Sequence, residues 1–333
     1  MPEHRIAVIS AGGWGTTLAA LLAAKDYDVR LWVREPEIVG TIRQFQENTR
    51  FLPGVKLPVR LFATAEMAEA VDGATLLTIA TPSNWIRATC RALAAHLPAA
   101  IPPALSVVKG LEIATGKRMS EVIREEIPGL PAIAALSGPN LAPEIARGLP
   151  AATVIASEDQ TLAVLAQELF QAPHFRPYTG ADIIGVEICG AVKNVYAIAS
   201  GICEGLGFGD NARGSLLTRA TAEVGRLVSR LGGRPETVAG LSGIGDLIAT
   251  CSSPISRNHR VGLAVGRGGD FRSALGDSGQ VAEGVPTTEA VVRLARRLGV
   301  EMPICEQINA ILFEGRAPAD AVRALMSREP RSE

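Results

Sequence analysis

The chain has 333 residues, 47% of them apolar and 20% charged, and its 33 basic and 34 acidic residues leave a net charge of −1. This length suits two domains with buried cores, and the near-zero charge gives no general attraction to nucleic acid or to an anionic membrane. No run of about 20 apolar residues predicts a membrane span. The apolar run Ile6–Ile9 breaks at once into glycines, so we expect no signal peptide.

The cysteines and histidines show no pattern of a disulfide or metal protein. The five cysteines are far apart and form no CxxC pair, and the four histidines lack metal-ligand spacing. We therefore expect reduced thiols, no metal site and a cytoplasmic location.

Short apolar runs alternate with helical patterns in the first half of the chain. The strand candidates are Arg5–Ile9, Val29–Val33, Ala74–Ile79, Ala104–Val108 and Ala132–Leu136, with Ala151–Ala156 and Phe175–Tyr178 as extensions. Helical patterns follow the first two strands, at Thr16–Ala24 and Pro36–Phe45. This alternation predicts an α/β fold with a doubly wound, mostly parallel sheet of the Rossmann type, covered by helices on both faces.

The second half of the chain has helical periodicity with few strand-like runs. The helix candidates are Ile183–Glu204, Asn211–Leu231, Pro235–Ala239, Thr287–Leu298 and Cys305–Phe313. We therefore predict an α/β domain over residues 1–184 and an all-α domain over residues 185–333.

A glycine cluster lies between the first predicted strand and helix, in the sequence IAVISAGGWGTTLA. Gly12 and Gly15 match the second and third glycines of the dinucleotide fingerprint, where the backbone approaches a pyrophosphate and the helix packs closely on the strand. Ser10 occupies the first glycine position. We expect Ser10 to keep a backbone open to L-residues, with Gly12 and Gly13 taking the unusual dihedral angles. The alternative is an ordinary glycine turn.

Arg34 follows the second predicted strand, where NAD-specific folds carry an acidic residue. An arginine there can pair with the 2′-phosphate of NADP, so NADPH is the favoured cofactor, with NAD as the alternative. A solvated charge at the end of a strand is the other interpretation.

Lys193 lies in the middle of the apolar helical segment 186–202. A buried, unpaired ammonium group is costly, so we interpret Lys193 as an acid/base group that faces a cleft. It shares a helix face with Asn194. A lysine that extends to the domain edge is the alternative.

Two further segments have the chemistry to bind a ligand. Lys109 follows a predicted strand at the carboxyl edge of the sheet, where such folds bind ligands. The polar segment Ser253–Arg260 combines hydroxyls with Arg257 and Asn258, which suits a phosphate. A solvated loop lysine and a helix-capping turn are the respective alternatives.

Taken together, these segments resemble the bacterial NAD(P)-dependent glycerol-3-phosphate dehydrogenases. The matching segments are AGGWGTTLA, VRLWVRE, NTRFLPGVKLP, SVVKGLE, LSGPNLAPEIARGLPAA, VEICGAVKNVYAIASGICEGLGFGDNA, LSGIGDLIATCSSPISRNHRVG and VAEGVPTTEAV. The resemblance implies interconversion of dihydroxyacetone phosphate and sn-glycerol 3-phosphate for glycerophospholipid synthesis, by a homodimer.

The resemblance implies that residues 1–184 form a dinucleotide-binding domain and residues 185–333 a helical substrate-binding domain. It also implies roles for single residues. It makes Lys193 the catalytic acid/base. The implied substrate residues are Lys109, Gly138, Asn140, Lys193, Asp246, Ser256, Arg257 and Asn258. The implied cofactor residues are Gly12, Gly13, Trp14, Gly15, Arg34, Phe51, Lys109, Ala142, Arg257, Val281 and Glu283.

The chain departs from the family pattern at three positions. Ser10 replaces the first fingerprint glycine, Gly13 stands where the family usually has serine, and Asn140 stands where it usually has serine or threonine. Two rival functions remain open. A β-hydroxyacid dehydrogenase or ketopantoate reductase would bind a carboxylate in place of a phosphate, and a redox-sensing protein would bind NAD(P) without turnover.

Overall fold

A computed structural model describes residues 4–275 and 282–329. The chain divides into two compact units, Met1–Val108 with Met119–Ile183, and Lys109–Arg118 with Ile184–Glu333. The segment Lys109–Arg118, here called the arm, therefore groups with the C-terminal half of the chain. The domain boundary predicted at residue 185 stays a prediction.

The first unit is built on one eight-stranded sheet with the strand order β3-β2-β1-β4-β5-β6-β7-β8. The strands are β1 (Arg5–Ile9), β2 (Asp28–Trp32), β3 (Leu61–Thr64), β4 (Leu76–Ile79), β5 (Ala104–Ser106), β6 (Ile133–Ser137), β7 (Ala151–Ser157) and β8 (Phe175–Gly180). Strands β1 to β6 are parallel, β7 is antiparallel to β6, and β8 is parallel to β7. This doubly wound sheet confirms the predicted fold class.

Strand β3 is absent from the sequence prediction. It has only four residues, Leu61–Thr64, and pairs with β2 alone at the edge of the sheet. An edge strand of this length gives too short an apolar pattern to stand out from its neighbours.

The sheet reverses its winding between β1 and β4. These strands are adjacent, although β2 and β3 separate them in the sequence. The backbone N–H of Ala80, just past β4, donates to the carbonyl of Ile9 at 3.0 Å, so the carboxyl ends of the two strands lie side by side. Open α/β sheets bind ligands at this topological switch point.

Seven helices cover the sheet. They are α1 (Gly13–Ala23), α2 (Pro36–Phe45), α3 (Met67–Val71), α4 (Ile86–Ala94), α5 (Met119–Glu126), α6 (Ala142–Ala146) and α7 (Gln160–Phe170). Helix α7 begins at a side-chain cap, since Asp159 accepts from the backbone N–H groups of Thr161 and Leu162. The apolar faces of α1, α2 and α7 pack on the strands to form the core of this unit.

The second unit is helical and has its own hydrophobic core. Its helices are α8 (Ile183–Gly205), α9 (Asp210–Arg230), α10 (Asp246–Ser252), α11 (Arg257–Gly266), α12 (Phe271–Leu275), α13 (Gly284–Leu298), α14 (Pro303–Phe313) and α15 (Pro318–Met326). A 3₁₀ turn at Pro235–Ala239 and a π-helical turn at Leu241–Gly245 connect α9 to α10.

Helix α8 is the central element of this core. It is long and apolar enough to cross a membrane, but 94% of its apolar window is buried inside the protein. A core helix of a folded domain can be equally long and apolar. The burial of α8 identifies it as such a core helix.

Glycines bring α8 and α11 into backbone contact. A Cβ atom on Gly201 would lie 2.0 Å from the carbonyl oxygen of His259, and one on Gly262 would lie 2.0 Å from the carbonyl oxygen of Ile198. Any side chain at either position would push the helices apart. This close crossing places the first turn of α11 beside the middle of α8.

Candidate functional site

A cluster of two lysines and one aspartate is buried in the helical unit. The Nζ atom of Lys193 on α8 lies 2.8 Å from Oδ1 of Asp246, and that of Lys109 on the arm lies 2.7 Å from Oδ2. Lys193 also donates to Oγ1 of Thr250 at 2.6 Å. Lys193 is 7% exposed and Asp246 is 1% exposed. Lys193 therefore does not extend to the domain edge, and that alternative is wrong.

Burial and charge set the protonation of the cluster. The pKa of Lys109 is lowered to about 8, chiefly by burial; Asp246 opposes this shift and the ammonium group of Lys193 contributes to it. Burial disfavours the charged carboxylate of Asp246, but the two ammonium groups outweigh it and hold the pKa of that carboxyl below its ordinary value. The cluster thus holds one carboxylate between two cations.

A kinked turn places Asp246 at the cluster. Gly243 in the π-helical turn has φ −90° and ψ −105°, and a Cβ there would lie 2.0 Å from the carbonyl oxygen of Val238. Only glycine fits this approach, and α10 then begins at Asp246. Thr250 follows one helical turn later on the same face. Sequence reasoning missed Thr250, and its spacing of four residues from Asp246 was the available indication.

A second polar group joins three helices of the same unit. The side-chain amide of Asn258 donates to Oδ1 of Asn194 on α8 at 2.8 Å, and its oxygen accepts from the backbone N–H of Gly284 on α13 at 2.9 Å. Like Thr250, Asn194 is absent from the predicted site residues, although its position on the same helix face as Lys193 was noted. The bonds fix the Asn258 side chain.

The polar segment around Arg257 differs from the predicted loop. Ser256 caps α11 by accepting from the backbone N–H of His259, and Arg257 and Asn258 lie in the first helical turn. The segment is therefore a helix-capping turn, as the alternative interpretation held, and it also carries the predicted polar side chains. Arg257 is exposed. Glu283 precedes α13 as its N-cap residue, and Val281 lies outside the described residues.

In the first unit, the glycine cluster begins helix α1 at the topological switch point. A Cβ on Gly12 would meet no atom within 4 Å, which leaves open space beside the backbone. A Cβ on Gly15 would lie 2.1 Å from the carbonyl oxygen of Ser10, so the helix packs directly on the strand end. A Cβ on Gly13 would lie 2.7 Å from the carbonyl oxygen of Phe51, which explains why no serine stands there.

The expectation for Ser10 is wrong. Its φ is +100°, in the region that favours glycine, whereas Gly12 has φ −60° and ψ 167°. Ser10 therefore takes the unusual dihedral angle that was expected at Gly12 and Gly13. The fingerprint position keeps its glycine-like backbone because α1 and the strand end are packed around it, and the serine bears the strain.

Asn48 supports the glycine cluster from the segment after α2. It is fully buried, and its side-chain amide donates to the carbonyl of Ala11 at 2.8 Å and to Oγ1 of Thr16 at 2.9 Å. Its oxygen accepts from the backbone N–H of Phe51 at 3.1 Å. This places Phe51 next to Gly13. Sequence reasoning did not single out Asn48, although the segment NTRFLPGVKLP that contains it was noted.

Residues of the LSGPN segment follow strand β6. Gly138 has φ +155°, and a Cβ there would lie 2.9 Å from Cα of Thr153, so the position requires glycine. The side-chain amide of Asn140 donates to Oγ1 of Thr153 at 3.0 Å. Ala142 is the first residue of α6, and its carbonyl accepts from Oγ1 of Thr17 on α1 at 3.4 Å.

The first unit has the features of a dinucleotide site. Helix α1 begins without a side-chain cap, so its first N–H groups are available to an anion beside the open space at Gly12. Within the described residues, two buried polar atoms at predicted site positions have no hydrogen-bond partner, Nε1 of Trp14 and Oδ1 of Asn140. The unpaired Trp14 N–H lies at a predicted cofactor position and fits a bound NAD(P), whereas the unpaired Asn140 oxygen lies at a predicted substrate position.

Arg34 is exposed and held by its neighbour. Its Nη2 atom lies 2.6 Å from Oε1 of Glu35. A 2′-phosphate would compete with Glu35 for this guanidinium group. No group of three His, Cys, Asp or Glu side chains within residues 4–275 and 282–329 is arranged to hold a metal ion.

A dinucleotide sheet, together with a helical unit that carries a buried lysine–aspartate cluster, defines an NAD(P)-dependent oxidoreductase. Two family models cover most of the chain, the NAD-dependent glycerol-3-phosphate dehydrogenase N-terminus over residues 5–163 and the C-terminus over residues 182–323. The chain belongs to the NAD-dependent glycerol-3-phosphate dehydrogenase family.

Individual relatives agree with this membership. A glycerol-3-phosphate dehydrogenase [NAD(P)+] of Moorella thermoacetica is 48% identical over 330 residues, which cover 99% of this chain and 97% of the relative. A glycerol-3-phosphate dehydrogenase [NAD(P)+] of Anaeromyxobacter dehalogenans is 45% identical, and the match covers 99% of this chain and 99% of the relative. The crystal structure of glycerol-3-phosphate dehydrogenase from Coxiella burnetii has a TM-score of 0.93 and 39% identity, with 98% of this chain and 99% of that chain covered.

The predicted family, enzyme class, reaction and NAD(P) dependence are confirmed. The roles of single residues stay predictions. The structure brings Lys109, Lys193 and Asp246 together in the helical unit, and it places the glycine cluster, Arg34, Phe51 and the LSGPN segment in the sheet unit.

Proposed function

We propose that the chain reduces dihydroxyacetone phosphate to sn-glycerol 3-phosphate with NADPH as the preferred reductant, and that Lys193 is its acid/base residue. The observation that carries the proposal is the Lys193 ammonium group, buried in an apolar helix and bound to both Asp246 and Thr250. A lysine placed in this way at a cost in desolvation points to a chemical role.

Lys193 provides the proton that the reduction requires. When bound, NAD(P)H supplies the hydride to the carbonyl carbon of the substrate. The Nζ atom of Lys193 stabilises the charge that develops on the carbonyl oxygen and donates a proton to it. In the oxidative direction the neutral amine takes the proton back from the hydroxyl group. Asp246 and Thr250 fix the ammonium group throughout, so its direction is set before the substrate arrives.

The substrate phosphate is bound by cationic and polar groups of the helical unit. We assign Arg257, Ser256 and Asn258 to the phosphate, with Lys109 as a further cation. The amide nitrogen of Asn258 carries two hydrogens and its bond to Asn194 uses one, which leaves one for a phosphate oxygen. Binding energy from the phosphate orients the reacting carbon. Gly138 and Asn140 complete the proposed substrate set.

The dinucleotide is held mainly by the sheet unit. Gly12 and the first N–H groups of α1 suit the pyrophosphate, and Arg34 suits the 2′-phosphate of NADP. The other proposed cofactor residues are Gly13, Trp14, Gly15, Phe51, Lys109, Ala142, Arg257, Val281 and Glu283.

We also propose a cytoplasmic homodimer that supplies glycerol 3-phosphate for glycerophospholipids. Five free cysteines are in keeping with a reducing compartment. The helical unit exposes Ile244, Ile248 and Ile255.

The test is a spectrophotometric assay of the purified chain. We expect loss of NADPH absorbance with dihydroxyacetone phosphate, and competitive inhibition by glycerol 2-phosphate. Turnover of ketopantoate or of a β-hydroxyacid, with no turnover of dihydroxyacetone phosphate, would support the carboxylate-binding rival. Binding of NADPH with no turnover of either substrate would support the redox-sensing rival.

A further inference from the structure

The arm is closed on itself by backbone hydrogen bonds. Leu111 and Arg118 form an antiparallel bridge, and the N–H of Glu112 donates to the carbonyl of Lys117 at 3.0 Å. Gly116 has φ +72° at the tip, and its N–H donates to the carbonyl of Glu112 at 2.7 Å. Because the loop is closed, fixing its last residue also restricts where its first residues lie.

Besides Lys109, which contacts Asp246, the arm contacts the helical unit through Arg118, Leu111 and Thr115. Nη1 of Arg118 lies 2.7 Å from Oε2 of Glu187, whose side chain is 3% exposed. Leu111 is buried in the hydrophobic core of the unit. Both terminal nitrogens of Arg297 donate to the carbonyl of Thr115 at 3.0 Å, and this contact is exposed. The ion pair thus joins a half-buried arginine of the arm to a buried carboxylate on α8.

Glu187 and Lys193 lie on the same rigid helix. They are six positions apart on α8, which is about 9 Å along the helix axis. The helix that holds the proposed acid/base residue thus also holds the last residue of the arm. The first residue of the arm, Lys109, in turn contacts Asp246, the carboxylate that binds Lys193.

Stability alone is a weak reason for this ion pair. Two charges buried in a core cost desolvation free energy that apolar side chains of similar volume avoid, and such replacements are often neutral or stabilising. A directional contact between two fixed groups does, however, set the position of the segment that carries one of them.

We propose that the Arg118–Glu187 ion pair is a positioning pair that holds Lys109 against Asp246. The proposal rests on the proposed function, since it gives Lys109 a part in substrate binding. Without the pair, the arm keeps its Leu111 and Arg297 contacts but loses its ion pair with α8. Lys109 then samples positions away from the carboxylate, while Lys193 keeps both of its contacts.

The test uses the double variant R118M/E187M, which removes both charges and keeps apolar volume. The single variant E187Q weakens the pair but leaves its shape. Y196F is the matched control, since it removes a buried hydrogen bond to Glu223 in the same unit and does not touch the arm. Thermal unfolding of each variant shows that it is folded.

Two measurements then report on Lys109. The chain has only five lysines, at 25, 56, 109, 117 and 193, so reductive methylation with formaldehyde and cyanoborohydride can be followed at each by mass spectrometry. We expect faster methylation at Lys109 in R118M/E187M, with Lys193 unchanged. We also expect the KM for dihydroxyacetone phosphate to rise about tenfold while kcat changes less than about threefold. Lys109, which binds the substrate, is then misplaced, whereas the acid/base residue Lys193 is not. Y196F should show neither change.

Unchanged methylation of Lys109 in the folded double variant would overturn the proposal. A fall in kcat with KM unchanged would also overturn it, because the pair would then act on the acid/base residue. Failure of the proposed function is distinguishable, since the wild-type chain would then show no turnover while the methylation result still reports the position of Lys109.

Discussion

Lys109 and Lys193 bind opposite oxygens of one buried carboxylate. The two Nζ atoms lie 2.7 and 2.8 Å from Oδ2 and Oδ1 of Asp246, respectively. Two ammonium groups on one carboxylate leave a net positive charge among largely buried side chains. This arrangement favours a substrate that carries a phosphate and develops negative charge on a carbonyl oxygen.

The first prediction concerns the pH dependence of substrate binding. Burial and the neighbouring Lys193 lower the pKa of Lys109 to about 8, so Lys109 is charged below that pH and neutral above it. We expect the KM for dihydroxyacetone phosphate to rise as the pH increases through 8. Steady-state kinetics across this range measure the change. Lys109→Arg keeps its charge throughout, and a KM that rises equally in this variant would assign the titration to another group.

Glu223 provides a prediction about stability. This buried carboxyl accepts from Tyr196 Oη and from the backbone N–H groups of Ile304 and Cys305 at the start of α14. Burial raises its pKa to about 7, and the three hydrogen bonds oppose that shift. An acid with a pKa raised by folding loses stability as the pH rises from its unfolded pKa to its folded one, here between about 4.5 and 7.

Glu223→Gln is neutral at every pH, but its amide nitrogen cannot accept one of these bonds. We therefore expect its melting temperature, relative to wild type, to be higher at pH 8 than at pH 5. The full pH-dependent difference is on the order of 3 kcal/mol. Calorimetry at the two pH values measures it. An equal change in melting temperature of Glu223→Gln at pH 5 and pH 8 would show that Glu223 does not titrate in this range.

Ser10 provides a test of backbone strain. Because its φ is +100°, Ser10→Gly is expected to stabilise the chain by about 1–2 kcal/mol. Ser10→Ala retains the Cβ atom and should leave the strain in place. Thermal unfolding of both variants separates strain from loss of the hydroxyl.

The same substitution is expected to tighten NADPH binding severalfold, because glycine relieves the strained φ in the turn that shapes the pyrophosphate site. Titration of intrinsic fluorescence measures the Kd. Weaker binding in both the glycine and alanine variants would show that the hydroxyl is a useful donor.

Sequence reasoning found the elements whose patterns are local. The strand Arg5–Ile9 and the helix Pro36–Phe45 have the predicted bounds, because each carries a complete apolar pattern over its own length. Lys193 stood out because a charge in the middle of an apolar helix is costly in free energy.

The contacts that complete the site depend on chain segments far apart in the sequence. Asp246 and Lys109 are 137 residues apart, and no periodicity predicts that they meet. Thr250 reaches Lys193 only because the kink at Gly243 sets the direction of α10. The φ of Ser10 was mispredicted because the packing of α1 on the strand end overrides the residue's own preference.

Arg34 provides a prediction about cofactor preference. Arg34→Asp is expected to shift preference from NADPH toward NADH, because a carboxylate repels the 2′-phosphate and accepts from a 2′-hydroxyl. The ratio of the two Kd values measures this shift. Equal weakening of both cofactors would mean that Arg34 does not contact the 2′ position. Glu35→Gln, which releases Arg34 from its ion pair, should strengthen NADPH binding.

The most direct test of the proposed chemistry is the turnover number of Lys193→Ala with dihydroxyacetone phosphate at saturating NADPH. The variant should lose about 10²–10⁴-fold in kcat, the usual effect of removing a positioned acid/base, and its Kd for NADPH should stay within about twofold of wild type. Lys56→Ala, at an exposed lysine of the sheet unit, is the control and should retain full activity. Near-normal turnover in Lys193→Ala would contradict the assignment of Lys193 as the acid/base.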